Sequence, residues 1–118
     1  GTARGADRLG EAWAEAQGIP VARFPARWDD LSGVPTRLIR SRRDGSTYNA
    51  AAGFERNNEM AGYAADSGAG QLIAVRAGET KGTAHMIDTA AESGLNIFIY
   101  DTKHRCYAYD EQGWIPDT

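Results

Sequence analysis

Apolar positions change period several times along the chain, and each change marks an element. Over residues 6–17, Leu9, Trp13 and Ala16 fall at i, i+4 and i+7 with Ala12 beside them, while Arg8, Glu11 and Glu15 lie elsewhere on the wheel. That spacing predicts a one-faced helix, ended by Gly18 and Pro20. Residues 19–24, apolar and β-branched at Ile19 and Val21, predict a buried parallel strand. Helical spacing resumes over residues 53–65 with Phe54, Asn57, Ala61 and Ala64, and Met60 alongside. Residues 71–76 predict a strand, residues 83–93 a helix with Ile87, Ala90 and Ala91 on one face, and residues 95–100 another strand. Tyr107, Tyr109, Trp114 and Ile115 give residues 104–116 the character of an edge hairpin or extended tail.

Strands alternating with helices imply a parallel sheet with right-handed crossovers. The predicted fold class is therefore α/β, a three-layer Rossmann-like domain with a mostly parallel sheet and helices on both faces. All strand-to-helix loops would then emerge on one edge. A glycine loop leading into a helix normally follows a strand, so the opening at Gly1 reads as a chain lacking its first β-α unit. Between residues 33 and 52 periodicity disappears, which predicts a long inserted loop with one helical turn around residues 36–41. Arg37, Arg40, Arg42 and Arg43 lie in it. They could grip a phosphate, an acidic partner or nucleic acid, or be a solvated excursion.

Composition narrows the classes. The 118 residues are 42% hydrophobic and 25% charged, which suits one globular domain with a core. A net charge of −3 argues against a general nucleic-acid coat. Cys106 is the one cysteine, so no internal disulfide is possible, which fits a reducing cytoplasm. No apolar run is long enough to span a bilayer, and no signal peptide is visible.

The candidate chemistry gathers at two loops. Ala77-Gly78-Glu79-Thr80-Lys81-Gly82-Thr83 lies between a strand and a helix, where unpaired N–H groups and the helix dipole favour an anion. Thr83 is expected at the N-cap or in the first turn. Gly1-Thr2-Ala3-Arg4-Gly5-Ala6-Asp7 is a second loop of this kind. Arg56 and Asn57, in the first turn of their helix, could hold a phosphate or ribose, or Arg56 could simply pair with Glu59. Trp28, just past a predicted strand, could stack on a base or pack on the core.

Four blocks in order, Gly1-Thr2-Ala3-Arg4-Gly5-Ala6-Asp7-Arg8-Leu9, Phe24-Pro25-Ala26-x-Trp28, Ala52-Gly53-x-x-Arg56-Asn57-x-x-Met60 and Gly82-Thr83-Ala84-His85-Met86-Ile87, resemble the YspA-type branch of the SLOG superfamily. That superfamily is similar to the lonely-guy phosphoribohydrolases and to DNA-processing protein A. The resemblance implies a Rossmann-like sheet and a pocket for a nucleotide or nucleotide-derived ligand. It places Gly1, Arg4, Gly5 and Asp7 at the first loop, Arg56 and Asn57 at the middle helix, and Gly82 and Thr83 at the phosphate loop. The expected ligand set is Gly1, Thr2, Arg4, Gly5, Asp7, Trp28, Arg56, Asn57, Gly78, Lys81, Gly82 and Thr83.

Three functions stay open: a nucleotide-binding module, an N-glycosidase or phosphoribohydrolase, and an interaction module using the arginine-rich insertion. Lonely-guy hydrolases continue their phosphate motif Gly-Gly-x-Gly-Thr-x-x-Glu, and Met86 stands where the Glu belongs. A thioether can neither act as base nor stabilise an oxocarbenium ion. Asp7, Glu79 and His85 remain the candidate catalytic groups. His85 and His104 are the only histidines and no ligand spacing accompanies them, so neither a metal nor another cofactor is expected. An exposed sheet edge would make a homo-oligomer a plausible partner state.

Overall fold

A computed structural model describes residues 1–2, 4–109 and 113–116; Ala3 of the first loop and residues 110–112 within the expected tail lie outside the described residues. Helix α1 spans Ala6–Ala16, strands β1 (Ile39–Ser41) and β2 (Thr47–Asn49) form a hairpin, and α2 spans Ala52–Asp66. Strand β3 (Gln71–Arg76), helix α3 (Lys81–Glu92) and strand β4 (Asn96–Asp101) follow, then β5 (Cys106–Tyr109) and β6 (Ile115–Pro116). The periodic helices, β3, β4 and the edge hairpin thus fall where the sequence places them, within a few residues.

The fold class does not. The main sheet runs β3-β4-β5-β6, and only β3 and β4 are parallel. β5 and β6 pair antiparallel, and β1 and β2 make a separate two-stranded sheet. This is a small α/β fold with a mixed sheet, not a mostly parallel three-layer Rossmann-like one. The reason lies after β4, where four residues separate Asp101 from Cys106. A parallel return needs a crossover of about a dozen residues or more, so this short link can only make an antiparallel one.

Residues 19–24 also depart from expectation, since they form no strand. Their side chains pack without a strand ladder beside them: Phe24 lies against Tyr63 of α2 with ring centroids 5.2 Å apart. β propensity describes a fit to a sheet and cannot supply the neighbouring ladder. The link from α1 is built as expected, with Gly18 at a φ of 72° and Ile19 N–H donating to Ala14 O at 2.8 Å.

The insertion is more ordered than a loop. Thr36–Leu38 form a single 3-10 turn, and the β1–β2 hairpin reverses at Asp44-Gly45, where Gly45 takes a φ of 87°. The Asp44 carboxylate accepts from Ser46 N–H at 2.9 Å and Ser46 Oγ at 2.6 Å. Arg42 donates to Asp29 at 3.2 Å and lies over Tyr48, and Arg40 donates to the Arg37 carbonyl. Two of the four arginines therefore serve the hairpin itself.

The core lies between one face of the main sheet and α2 and α3, built on Ala61, Met86, Ala90, Leu95 and Ile97. Leu72 and Ile99 complete it from β3 and β4. Gly94, at a φ of 77°, ends α3 and drives Leu95 into this core. Among the described residues no helix is long and apolar enough to cross a membrane.

Candidate functional site

Helix α3 begins at Lys81 with Thr80 as its N-cap, and Thr80 Oγ1 accepts the Thr83 N–H at 3.4 Å. Thr83 is thus a first-turn residue rather than the cap. The amides of Lys81 and Gly82 stand before the first intrahelical hydrogen bond, since Ala84 N–H is the one that returns to Thr80 O. They have no hydrogen-bond partner among the described residues, and both residues are exposed.

Asn57 ties α2 to this end of α3. Buried within α2, it donates from Nδ2 to Gly82 O at 3.3 Å and lies 3.2 Å from His85 Nδ1. The Asn57 amide nitrogen can only donate, so this contact is a hydrogen bond when Nδ1 of His85 is the acceptor. The imidazole is also stacked on Phe54, with centroids 4.1 Å apart and planes at 13°. Arg56 completes the network. Its Nε donates to Asn57 Oδ1 at 3.0 Å and its Nη1 to Phe24 O at 3.4 Å. Because α2 starts at Ala52, Arg56 and Asn57 occupy its second turn, and they serve the N-terminus of α3 instead of their own. The start of α2 is held by Asn49, whose Oδ1 accepts from Ala51 N–H at 2.9 Å.

Arg56 is half-buried, and no carboxylate lies within ion-pair distance of it among the described residues. Glu59, the alternative partner the sequence offered for Arg56, pairs with Arg27. The first loop reaches the same place. A Cβ on Gly1 would lie 3.2 Å from Arg56 Nη1 and 2.3 Å from Asp7 Oδ2, and the Gly1 amino group is 3.8 Å from Asp7 Oδ2. Beside them a cavity of about 440 Å³ is lined by Gly1, Val21, Phe24, Met60 and Tyr63, among others.

Gly1, Asp7, Arg56, Asn57, Gly82 and His85 are thereby brought together, with Lys81 and Thr83 in the same helix turn. Other expected residues are placed elsewhere. Gly5, at a φ of 82°, is the N-cap of α1, and no hydrogen bond or ion pair joins Thr2 or Arg4 to the cluster among the described residues. Trp28 packs across the Cβ side of Gly53 and meets Tyr48 edge-on at 6.2 Å. Met86 is in the core. Among the described residues, the contacts shown for Asp7, Glu79 and His85 are to Gly1, Arg76 and Asn57 respectively and do not join the three to one another.

Gly78 turns away from the anion site. Its N–H donates to Asp101 Oδ1 at 3.1 Å, at the centre of a cluster that sequence reasoning missed. Asp101, 2% exposed, also accepts from the backbone N–H groups of Lys103 at 3.0 Å and His104 at 3.2 Å, and from Arg76 Nε at 3.3 Å. His104 Nδ1 lies 3.1 Å from Asp101 Oδ2. Burial alone would push this carboxyl up, but the hydrogen bonds from His104 and Gly78 outweigh it and hold the group well below the usual carboxylate range. Arg76 lies over Trp114 at 5.0 Å, and a cavity of about 420 Å³ opens between Glu79, Lys103, Cys106 and Trp114. An Asp closing one strand in register with an Arg closing its neighbour was the available signal, legible only once β3 and β4 are paired. Among the described residues no group of three His, Cys, Asp or Glu could hold a metal ion. No protein family, curated protein or solved structure matches the chain.

Proposed function

We propose that the protein binds a nucleotide or nucleotide-derived ligand, with its phosphate at the N-terminus of α3. The observation that carries this reading is Arg56, a half-buried guanidinium oriented by two neutral acceptors, Phe24 O and Asn57 Oδ1, and by no carboxylate among the described residues. A half-buried cation with no carboxylate within ion-pair distance among the described residues keeps donors to offer an anion. It is coupled through Asn57 to a helix end whose Lys81 and Gly82 amides have no partner among the described residues. The resemblance of the four sequence blocks to YspA-type SLOG proteins supplies the ligand class. The cavity lined by Phe24 and Tyr63 offers an apolar, aromatic surface for a base.

Binding is proposed and turnover is not, because Met86 packs in the core and the candidate acids and bases do not converge. Isothermal titration calorimetry with mononucleotides, ADP-ribose, NAD and cyclic nucleotides tests the reading. At least one should bind, and Arg56→Ala should weaken it by about 1.5–3 kcal/mol, a ten- to hundredfold loss. Absence of binding by every member, or affinity unchanged in Arg56→Ala, refutes it.

A further inference from the structure

We infer that His85 is a proton-operated latch between α2 and α3, closed while its imidazole is neutral and opened by a proton on Nδ1. The latch follows from an amide that cannot turn. Asn57, 5% exposed, has both ends of its side chain fixed by groups of one polarity: Arg56 Nε can only donate, at 3.0 Å to Oδ1, and Gly82 O can only accept, at 3.3 Å from Nδ2. Reversing the amide would set donor against donor at Arg56 and acceptor against acceptor at Gly82. Nδ2 is therefore the atom that meets His85 Nδ1 at 3.2 Å, and only an unprotonated Nδ1 can accept from it.

The imidazole has no better position once charged. It lies flat on Phe54, with centroids 4.1 Å apart and planes at 13°. Turning the ring over within that stack puts the carbon Cδ2 where Nδ1 was, which also loses the acceptor. The surroundings supply no counter-charge. On α2, Arg56 is bound to the same amide, while Glu55 and Glu59 are engaged by Asn49 and Arg27. In the first loop Asp7 lies beside the Gly1 amino group, and along α3 Lys81 and Asp88 stand about one turn to either side of His85. Among the described residues the histidine with a carboxylate within ion-pair distance is His104, not His85. An imidazolium gains from the Phe54 face, but it leaves one Nδ2 hydrogen of a buried amide unpaired beside the Arg56 charge, and that is the larger effect. Because Asn57 also bears on Gly82 O, the opening is felt at the start of α3.

Amide hydrogen exchange of the full chain without ligand, corrected for the intrinsic rate at each pH, tests this at Ala84, whose N–H makes the bond to Thr80 O at 2.9 Å that opens α3. An imidazole ordinarily gains its proton between about pH 8 and 5, so protection at Ala84 should fall several-fold from about pH 7.5 to about pH 5.5 in the wild type. In His85→Gln, whose amide does not titrate, protection should stay level. Over the same interval the midpoint of thermal unfolding should drop a few degrees further in the wild type than in the variant. The difference between the two chains is the readout, because His104 titrates in both and has Asp101 to pair with. Nitrogen-15 NMR of the wild-type imidazole, which needs no variant, should find Nδ1 of His85 unprotonated at about pH 7.5. A proton on Nδ1 at that pH, or protection and unfolding midpoints that follow pH alike in both chains, overturns the latch. No nucleotide is present in these measurements, so failure of the latch and failure of the anion site are told apart.

Discussion

Two polar clusters flank the loop between β3 and α3, and they are built on opposite principles. Around Asp101, one buried carboxylate takes three backbone N–H groups, Arg76 and His104. Every charge there has its partner inside the protein. Around Arg56, a cation is oriented by a carbonyl and a side-chain amide, and the Lys81 and Gly82 amides beyond Asn57 have no partner among the described residues. Both clusters hold the same loop, from Gly78 at one end and Gly82 at the other. A closed cluster fixes geometry, whereas an open one keeps hydrogen-bonding capacity for something else.

Breaking the closed cluster should have the largest effect. Asp101→Asn removes the charge that Arg76 and His104 face and mismatches an acceptor that gathers three amides, so thermal unfolding should move down by many degrees. The pH dependence has a definite sign. Because the folded carboxyl lies below its ordinary value of 3.8, the stability it contributes is complete above that value and is withdrawn as pH falls towards the lower folded one. Acid titration of unfolding should therefore show a steep loss below pH 4 in the wild type. Asp101→Asn should flatten it. An equally steep acid limb in the variant contradicts this account of the cluster.

Asn57 stands between stability and binding, so its removal sharpens the contrast. Asn57→Ala deletes the donor to Gly82 O and the acceptor for Arg56 Nε in a buried position. A cost of about 1–3 kcal/mol in denaturant unfolding is expected, with nucleotide affinity falling alongside it. Arg56→Ala should instead lower affinity with little change in stability. If the two variants behave alike in both measurements, Arg56 is structural and the open cluster is no ligand site.

What was legible in the sequence follows the same division. Elements whose burial is periodic declared themselves, since α2, β3, α3 and β4 each show one repeating apolar face over ten or so residues or a dense apolar run. The β1–β2 hairpin did not, because three-residue strands are too short to establish alternation and its stability comes from Asp44, Arg42 and Tyr48. Residues 19–24 misled in the other direction. Their apolar content reflects packing on α2, while strand formation depends on a neighbour that the local sequence does not specify. The antiparallel turn of β5 was decided by the short link after β4 and by Asp101, which accepts the Lys103 and His104 amides. Of the candidate site, residue type pointed to Arg56, Asn57 and Gly82, but the expected position of Arg56 and Asn57 in the first turn of their own helix was not met: they lie in the second turn of α2, and Asn57 meets the start of α3 through a contact between helices that spacing does not encode. The Asp101 cluster was not legible, since it depends on strand register.

The smallest effect tests whether the closed cluster really ends at Asp101. Glu79 lies 3.9 Å from Arg76 Nη2 and is 84% exposed, so its ion pair is long and screened by water. Arg76 already has Asp101 at 3.3 Å, and the Glu79 carboxylate adds little to a charge that is neutralised from beneath. Glu79→Gln should leave the unfolding free energy within about 0.5 kcal/mol of wild type. It should also leave nucleotide affinity unchanged, because Glu79 sits beyond Thr80 on the Arg76 side of the loop and shares no contact with Arg56. A marked loss of affinity in this variant would move the ligand across the loop, into the cavity beside Trp114, and would reverse which cluster is the open one.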